Sequence, residues 1–331
     1  MKILVTGGTG YIGSHTVIEL LLAGHDVVIL DNLSNSDTVT VERIKEITGI
    51  SPRLIIGDIC DYQIVHNIFV REKIDAVIHF AAKKSVEEST KFPDLYYQTN
   101  VGGLATLCQA MREAGVNRFV FSSSAAVYGE PSVIPIAEES ILNPLSPYGA
   151  TKKTGEELLM WMAQSSGWSV TALRYFNPVG AHNTGQIGEN PKVASNLLPI
   201  VVQVAGGKRQ NLVVYGNDYP TKDGTCIRDY IHVVDLAKAH LAALEYTMGS
   251  LGFNTFNIGT GFGYSVLEVI ASLVKVCGKN IPYTIGPRRL GDVSALVADT
   301  RLARTKLQWT SKLTLDDMTS SAWKWWQNSN F

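Results

Sequence analysis

Tyr148 and Lys152 stand four residues apart in the run Ser146-Pro147-Tyr148-Gly149-Ala150-Thr151-Lys152. On a helix this spacing puts both side chains on one face. A free phenol has a pKa near ~10 and is a poor base at neutral pH. An ammonium beside it favours the phenolate, so the pair becomes a proton acceptor suited to alcohol oxidation. Such a pair occurs by chance on many helices and gains meaning only from its company. Ser124, the last of the three serines after Phe121, lies at the end of an apolar run that reads as a strand. Its hydroxyl both donates and accepts, which suits a proton relay to the tyrosine.

A phosphate cradle sits near the N-terminus. Gly7, Gly10 and Gly13 follow the first apolar run and open the first helical stretch. Gly7 permits a tight turn, Gly10 lets the backbone approach a pyrophosphate, and Gly13 allows close helix–strand packing. The amides of the helix N-terminus then face the phosphates. Asp31 ends the second strand. A carboxylate there can accept both hydroxyls of an adenosine ribose and would repel a 2′-phosphate. No Arg or Lys follows in residues 32–37, so NAD is favoured over NADP. The positive nicotinamide of that cofactor would add to the effect of Lys152 on the phenol. Asp58, after the third strand, reads as an adenine contact or as a turn residue.

These residues need a scaffold that brings strand ends to one edge. Ile3–Val5, Val27–Leu30, Leu54–Ile56, Ala76–Phe80 and Phe119–Ser122 read as buried strands, with helical stretches at Ser14–Ala23, Gln63–Glu72 and Val101–Ala114 between them. The alternation predicts an α/β fold, a doubly wound parallel Rossmann sheet with a smaller α/β substrate-binding C-terminal lobe. Residues 1–176 are expected to form the NAD-binding domain, rejoined by 226–250. Residues 177–225 and 251–331 would form the second domain. Asn177–Lys192 reads as a loop, Asn196–Gly206 as a helix, and Leu212–Tyr215 as a strand. In the helical Thr314–Trp326, Leu315, Met318, Ala322 and Trp325 form one apolar stripe, suited to packing rather than binding.

Bulk properties narrow the function. The 331 residues are 45% hydrophobic and 18% charged, with a formal net charge of −1. There is no overall basic pull toward nucleic acid or anionic membrane. Cys60, Cys108, Cys226 and Cys277 are too scattered for a zinc or redox motif, and no metal site is expected. The start of the chain does not read as a signal peptide, and no run is long enough to span a bilayer. A soluble, cytoplasmic protein is expected.

The order of glycine triplet, Asp31, serine run and Tyr-x-x-x-Lys resembles that of a short-chain dehydrogenase/reductase. More specific stretches narrow the likeness. Thr6–His15, Leu30–Asn35, Val77–Ala82, Arg174–Ala181 (RYFNPVGA), Gly216–Thr221 (GNDYPT), Arg228–Val233 (RDYIHV) and Pro287–Asp292 closely resemble the UDP-glucose 4-epimerase family, and the likeness runs from residue 1 to about 326. The resemblance implies that Tyr148 is the catalytic base, Lys152 its partner on the nicotinamide ribose and Ser124 the relay. It implies NAD along Gly7, Gly10, Tyr11, Ile12, Gly13, Asp31, Asn32, Asn35, Asp58, Ile59, Phe80, Ala81, Lys84 and Phe176. The UDP-sugar would lie on Asn177, Asn196, Leu197, Val213, Tyr215, Arg228, Arg289, Asp292 and Leu296. Arg228 and Arg289 suit a diphosphate, since a guanidinium makes forked hydrogen bonds. The implied reaction interconverts UDP-galactose and UDP-glucose by oxidation at the sugar C4, rotation of the 4-keto sugar and hydride return to the other face. The family is usually a homodimer, formed by helices near 100–113 and 150–163.

Three positions depart from the family pattern. Ala126 stands where threonine is common, Thr99 replaces a common asparagine, and Leu296 sits at the gatekeeper beside the hexose. Tyrosine at the last position goes with unmodified hexoses and cysteine with N-acetylated ones. A nucleotide-sugar 4,6-dehydratase would share the oxidation but needs an acid and a base to eliminate water. Its Asp-Glu pair would fall at Ala125 and Ala126. A non-catalytic NAD-sensing protein of the same fold would typically lack Tyr148 or Lys152.

Overall fold

The computed structural model describes residues 1–191, 194–289 and 292–329. Short apolar runs form β1 (Lys2–Thr6), β2 (Asp26–Asp31), β3 (Arg53–Ile56), β4 (Ala76–His79), β5 (Arg118–Ser122) and β6 (Ser169–Tyr175). With Gly252–Ile258 they make a seven-stranded sheet in the order β3-β2-β1-β4-β5-β6, then Gly252–Ile258. Every pairing is parallel. Such strands are covered on both faces, which is why they read as continuous apolar runs rather than alternating ones. Helices Tyr11–Leu22 and Val233–Gly249 pack together over one face. Helices Tyr62–Glu72, Gly103–Glu113 and Pro147–Ser166 cover the other. Strand order reverses between β1 and β4, and ligands bind outside the carboxyl ends of strands at such a switch point.

A second lobe is built on helices Leu197–Ala205, Val266–Cys277 and Leu315–Asn328. They enclose Val201, Val269, Leu273, Met318 and Trp323. Leu212–Tyr215 pairs in parallel with Tyr283–Gly286 beside them. In the C-terminal stripe Met318, Ala322 and Trp325 are buried.

The partition between lobes differs from the sequence expectation. Gly252–Ile258, expected in the second lobe, is the last strand of the main sheet, in register with all of β6. Its two asparagines and its threonine hide it as an apolar run. In the segment 226–250, the return to the sheet begins only with helix Val233–Gly249. Ile227–Arg228 and Tyr230–His232 pair instead with Tyr264–Ser265, Ala295–Leu296 and Asn177–Val179. Asn177–Val179 is therefore a short strand, where the sequence reads as loop.

Four histidines are buried in this scaffold. Burial is the main cause that pushes His15 and His79 down from 6.5 to about 3, and His232 and His240 to about 4. They stay neutral in the fold and become protonated on unfolding. The stability this confers is complete above pH 6.5 and is lost as pH falls toward 4, at up to roughly 1 kcal/mol per pH unit for each group. The urea midpoint should therefore drop clearly between pH 7.5 and pH 5. Equal midpoints at the two values would show that these imidazoles do not control acid stability.

Candidate active site

The glycine turn is dictated by crowding. Gly7 has φ +71°, and a Cβ there would stand 2.7 Å from the Ala81 nitrogen. A Cβ on Gly13 would stand 2.2 Å from the Gly7 oxygen. Gly10 caps helix Tyr11–Leu22 without a side-chain bond. The first-turn N–H groups are thus offered to a cavity of about 850 Å³ lined by residues 9–14. That is ample for a dinucleotide, and an uncapped helix N-terminus suits its phosphates.

The same cavity is lined by Gly7, Gly10, Tyr11, Ile12, Gly13, Asp31, Asn32, Asn35, Asp58, Ile59, Phe80, Ala81 and Lys84, and by Tyr148 and Lys152. Asp31 is more occupied than the sequence suggests. Its carboxylate accepts from the Thr9 N–H at 3.1 Å, the Leu33 N–H at 2.9 Å and the Ser36 hydroxyl at 3.1 Å. About one of its roughly four lone-pair sites remains for a ribose hydroxyl. Asp58 is both turn residue and cavity wall. Burial pushes its carboxyl up, but the Cys60 N–H and the Asn32 amide outweigh that and hold it below its ordinary value. Arg43, beyond the segment 32–37, also reaches the cavity, with its guanidinium 5.0 Å over the Trp325 ring.

Helix Pro147–Ser166 carries Tyr148 and Lys152. Ser146 caps it by accepting the Gly149 N–H at 3.2 Å, and Pro147 occupies the first turn. Gly149 lets it abut the turn after β5, since a Cβ there would lie 2.5 Å from the Ala126 oxygen. The approach brings buried Tyr148 beside Ser124. Burial pushes the phenol up, and the Ser124 hydroxyl opposes this. Lys152 is anchored to the strand end. Its ammonium donates to the Ser122 carbonyl at 2.7 Å over the Phe121 ring, and burial pushes it down to about 8. Ser124 joins it as a neighbour that favours the phenolate of Tyr148.

Several functional positions carry no sequence signal. Gln98–Gly102 forms a π-helical turn before helix Gly103–Glu113, where the sequence reads as plain helix from residue 101. The widened turn aims Asn100 inward. It accepts the Lys83 N–H at 2.8 Å and donates to the Lys83 carbonyl and the Thr151 hydroxyl, each at 3.0 Å. Tyr175 lines the cavity, and so does Thr99, which the sequence already marks as a departure from the family pattern. Glu189, at the edge of the second lobe, bonds Lys84 at 3.1 Å and Asn196 at 3.0 Å.

Phe176 is displaced from its expected place with the cofactor. Successive strand residues point to opposite sides. Tyr175 faces the cavity, while Phe176 packs with Ala125, Val127, Tyr128, Ile136 and Ala298, against half-buried Leu296. The residues expected around UDP-sugar are not among those lining the main cavity and fall in four groups. The exposed Arg289 guanidinium lies 4.8 Å over the Tyr215 ring, beside exposed Val213. Arg228 pairs with Asp292 at 3.3 Å and gives both Nη1 hydrogens to the carbonyls of Ile227 and Val293. Leu296 faces the Phe176 cluster, and Asn177 is tied to the Asp229 carbonyl by its N–H. Leu197 opens the helix that Asn196 precedes. Among the described residues no His/Cys/Asp/Glu group could hold a metal, and no helix is long and apolar enough to cross a membrane.

A doubly wound sheet with this glycine turn, a tyrosine and a lysine at its cavity and a serine beside the tyrosine defines a short-chain dehydrogenase/reductase. The family described as GDP-mannose 4,6 dehydratase matches residues 4–322. The UDP-glucose 4-epimerase of Bacillus subtilis (strain 168) is 50% identical over 332 residues, covering 100% of this chain and 98% of its own. That of Pasteurella multocida is 50% identical over 98% of this chain and 97% of its own. The crystal structure of UDP-glucose 4-epimerase from Stenotrophomonas maltophila, with NAD and formylated UDP-arabinopyranose, superposes with a TM-score of 0.97 at 47% identity, covering 99% of this chain and 98% of that one. The chain belongs to the UDP-glucose 4-epimerase family.

The crowding at Gly13 gives a test of the cavity. Gly13→Val should abolish retention of dinucleotide, because its side chain must push the Gly7 carbonyl into the phosphate path. The dinucleotide released per protomer on denaturation is the measurement. Equal release from variant and parent would exclude the turn as the phosphate site.

Proposed function

We propose that this protein interconverts UDP-galactose and UDP-glucose, in galactose metabolism, and keeps its NAD through the cycle. The observation that carries the reading is the meeting of Tyr148, Lys152 and Ser124 beside a dinucleotide-sized cavity, next to an apolar wall that includes Leu296. The crowded glycines, uncapped helix and buried Asp31 fit NAD. When bound, NAD accepts a hydride from the sugar C4 and later returns it. Tyr148 takes the proton of the 4-hydroxyl, and Ser124 relays it. Burial raises the phenol, so we take the positive nicotinamide to bring it within reach of neutral pH.

Arg228 and Arg289 are the cations we assign to the diphosphate, with Tyr215, Val213, Asn196, Leu197, Asn177 and Asp292 around the nucleotide and its link to the sugar. Tight uridine contacts and a wall without hydrogen-bonding groups serve one purpose. Binding energy is held on the part that stays still while the hexose turns. Elimination by a 4,6-dehydratase is disfavoured by Ala125 and Ala126, whose methyl groups can move no proton. A pure NAD sensor would have no use for a tyrosine–lysine pair facing the cavity.

We read the working form as a cytoplasmic homodimer. Trp161 is 63% exposed on helix Pro147–Ser166, on a face that a partner's helices would cover. The four cysteines are free thiols, as expected in a reducing compartment.

The direct assay is UDP-galactose with no added NAD. The wild type should produce UDP-glucose, and Tyr148→Phe should lower kcat by roughly 10²–10⁴-fold while keeping its dinucleotide. Dependence on added NAD would refute retention, and a fully active Tyr148→Phe would refute the base.

Leu296 should set tolerance of the hexose. An N-acetyl group must be cleared in two orientations of the rotating ring. Leucine leaves more room than tyrosine and less freedom than cysteine. UDP-galactose should react well and UDP-N-acetylgalactosamine more slowly. Leu296→Tyr should suppress the second reaction selectively, and Leu296→Cys should raise it. The ratio of kcat/KM for the two substrates is the quantity to measure. A ratio moved by neither substitution would put Leu296 away from the sugar.

A further inference from the structure

We infer that Glu156 is a positioning residue of the reaction, with Arg174 as its counter-ion, a role that rests on the epimerase reading above. One face of helix Pro147–Ser166 carries Tyr148, Lys152 and Glu156 on successive turns, and the three side chains meet three successive serines. Tyr148 stands beside Ser124, Lys152 donates to the Ser122 carbonyl, and Glu156 accepts from the Ser123 hydroxyl at 2.5 Å. The middle and lower contacts fix the strand end from which Ser124 projects. Arg174, on β6, holds Glu156 in a forked pair, with Nη2 at 2.6 Å and Nε at 3.0 Å. Both side chains are almost wholly buried, 6% and 4% exposed.

A buried ion pair is a poor means of stabilising a fold. Desolvation of both charges offsets their attraction, and apolar residues of similar volume often serve as well or better. An apolar pair could neither grip the Ser123 hydroxyl nor keep a negative charge one turn from Lys152. The pair also reaches the sugar wall. Arg174 Nη1 donates to the Tyr128 oxygen at 3.1 Å and to the Glu138 carbonyl at 2.8 Å. The Tyr128 hydroxyl donates to Asn257 Oδ1 at 2.6 Å, and the Asn257 amide donates to the Ile136 carbonyl at 2.8 Å. The Ile136 N–H in turn donates to the carbonyl of Val297, the residue after Leu296. One network thus joins the serine run to the backbone that carries the hexose wall.

The charge matters as well as the shape. Lys152 interacts with Glu156 on its own helix and with His79 on β4, shares the cavity wall with Tyr148 and Tyr175, and is linked through Glu156 to Arg174 on β6. The Glu156 carboxylate pushes the Lys152 ammonium up against burial. Without that charge the lysine loses its proton at lower pH, and the alkaline limb of kcat moves down with it.

The test uses the NAD-bound enzyme with UDP-galactose. Glu156→Gln keeps shape and an acceptor but leaves Arg174 without its ion. The paired Glu156→Gln/Arg174→Met variant removes both charges and leaves no buried ion unmatched, so it should fold even if the single variant does not. In the paired variant kcat should fall by about 10–100-fold, with KM within about twofold; in Glu156→Gln, where only the negative charge is lost, the alkaline limb should also move down. A paired variant with wild-type kcat would reduce Glu156 and Arg174 to structural residues, and an unmoved alkaline limb in an active Glu156→Gln variant would remove the charge from the argument. Wild-type protein inert toward UDP-galactose would instead overturn the epimerase reading along with this one.

Discussion

The reacting end of this molecule depends on how closely one helix can lie against the end of one strand. The Lys152 ammonium donates to the Ser122 main-chain oxygen at 2.7 Å, and Gly149 leaves room for the Ala126 carbonyl. These contacts set Tyr148 beside Ser124 at the wall of the cavity. The same closeness desolvates both members of the pair. It pushes the ammonium down to about 8 and the phenol up. Geometry is secured at the expense of a ready-made phenolate, and the base needs charge from elsewhere to work near neutral pH.

The opposite side of the site hangs on a different device. The buried Asp229 carboxylate accepts the N–H groups of Thr260, Gly261 and Ala298 and the Thr260 hydroxyl. Its main chain pairs with Leu296 and with Asn177. Three distant segments therefore converge beside Arg228. A fully bonded carboxylate makes a rigid node. The strands around Arg228 are built on this node, whereas the neighbouring cluster of Leu296, Phe176 and Ala125 is apolar. A site that must hold one half of a ligand and let the other half turn requires that contrast.

Much of this was legible in the chain itself. Five sheet strands and several helices follow from apolar runs and their punctuation, because parallel strands buried on both faces need continuous apolar residues. The glycine turn was legible because its φ and its close approach exclude side chains outright. The tyrosine–lysine spacing was legible as one face of a helix, if the segment is helical. These are local rules, and local rules can be read from short stretches.

Other features rest on contacts between residues far apart in sequence, and only the folded chain decides them. Gly252–Ile258 is a central-sheet strand because β6 offers it a complete register, although its own asparagines argue against a buried strand. The π-turn at Gln98–Gly102 has no side-chain signature, yet it aims Asn100 at Lys83 and Thr151. Phe176 and Tyr175 part company at a strand end, which puts one in the apolar cluster beside Leu296 and the other at the wall of the main cavity. The sequence by itself determined the chemistry available, since residue types and spacings set what a tyrosine, a lysine and a glycine turn can do. The tertiary structure decided where each charge is spent, because a buried ammonium or carboxylate bonds to whatever oxygen or nitrogen the fold brings nearest.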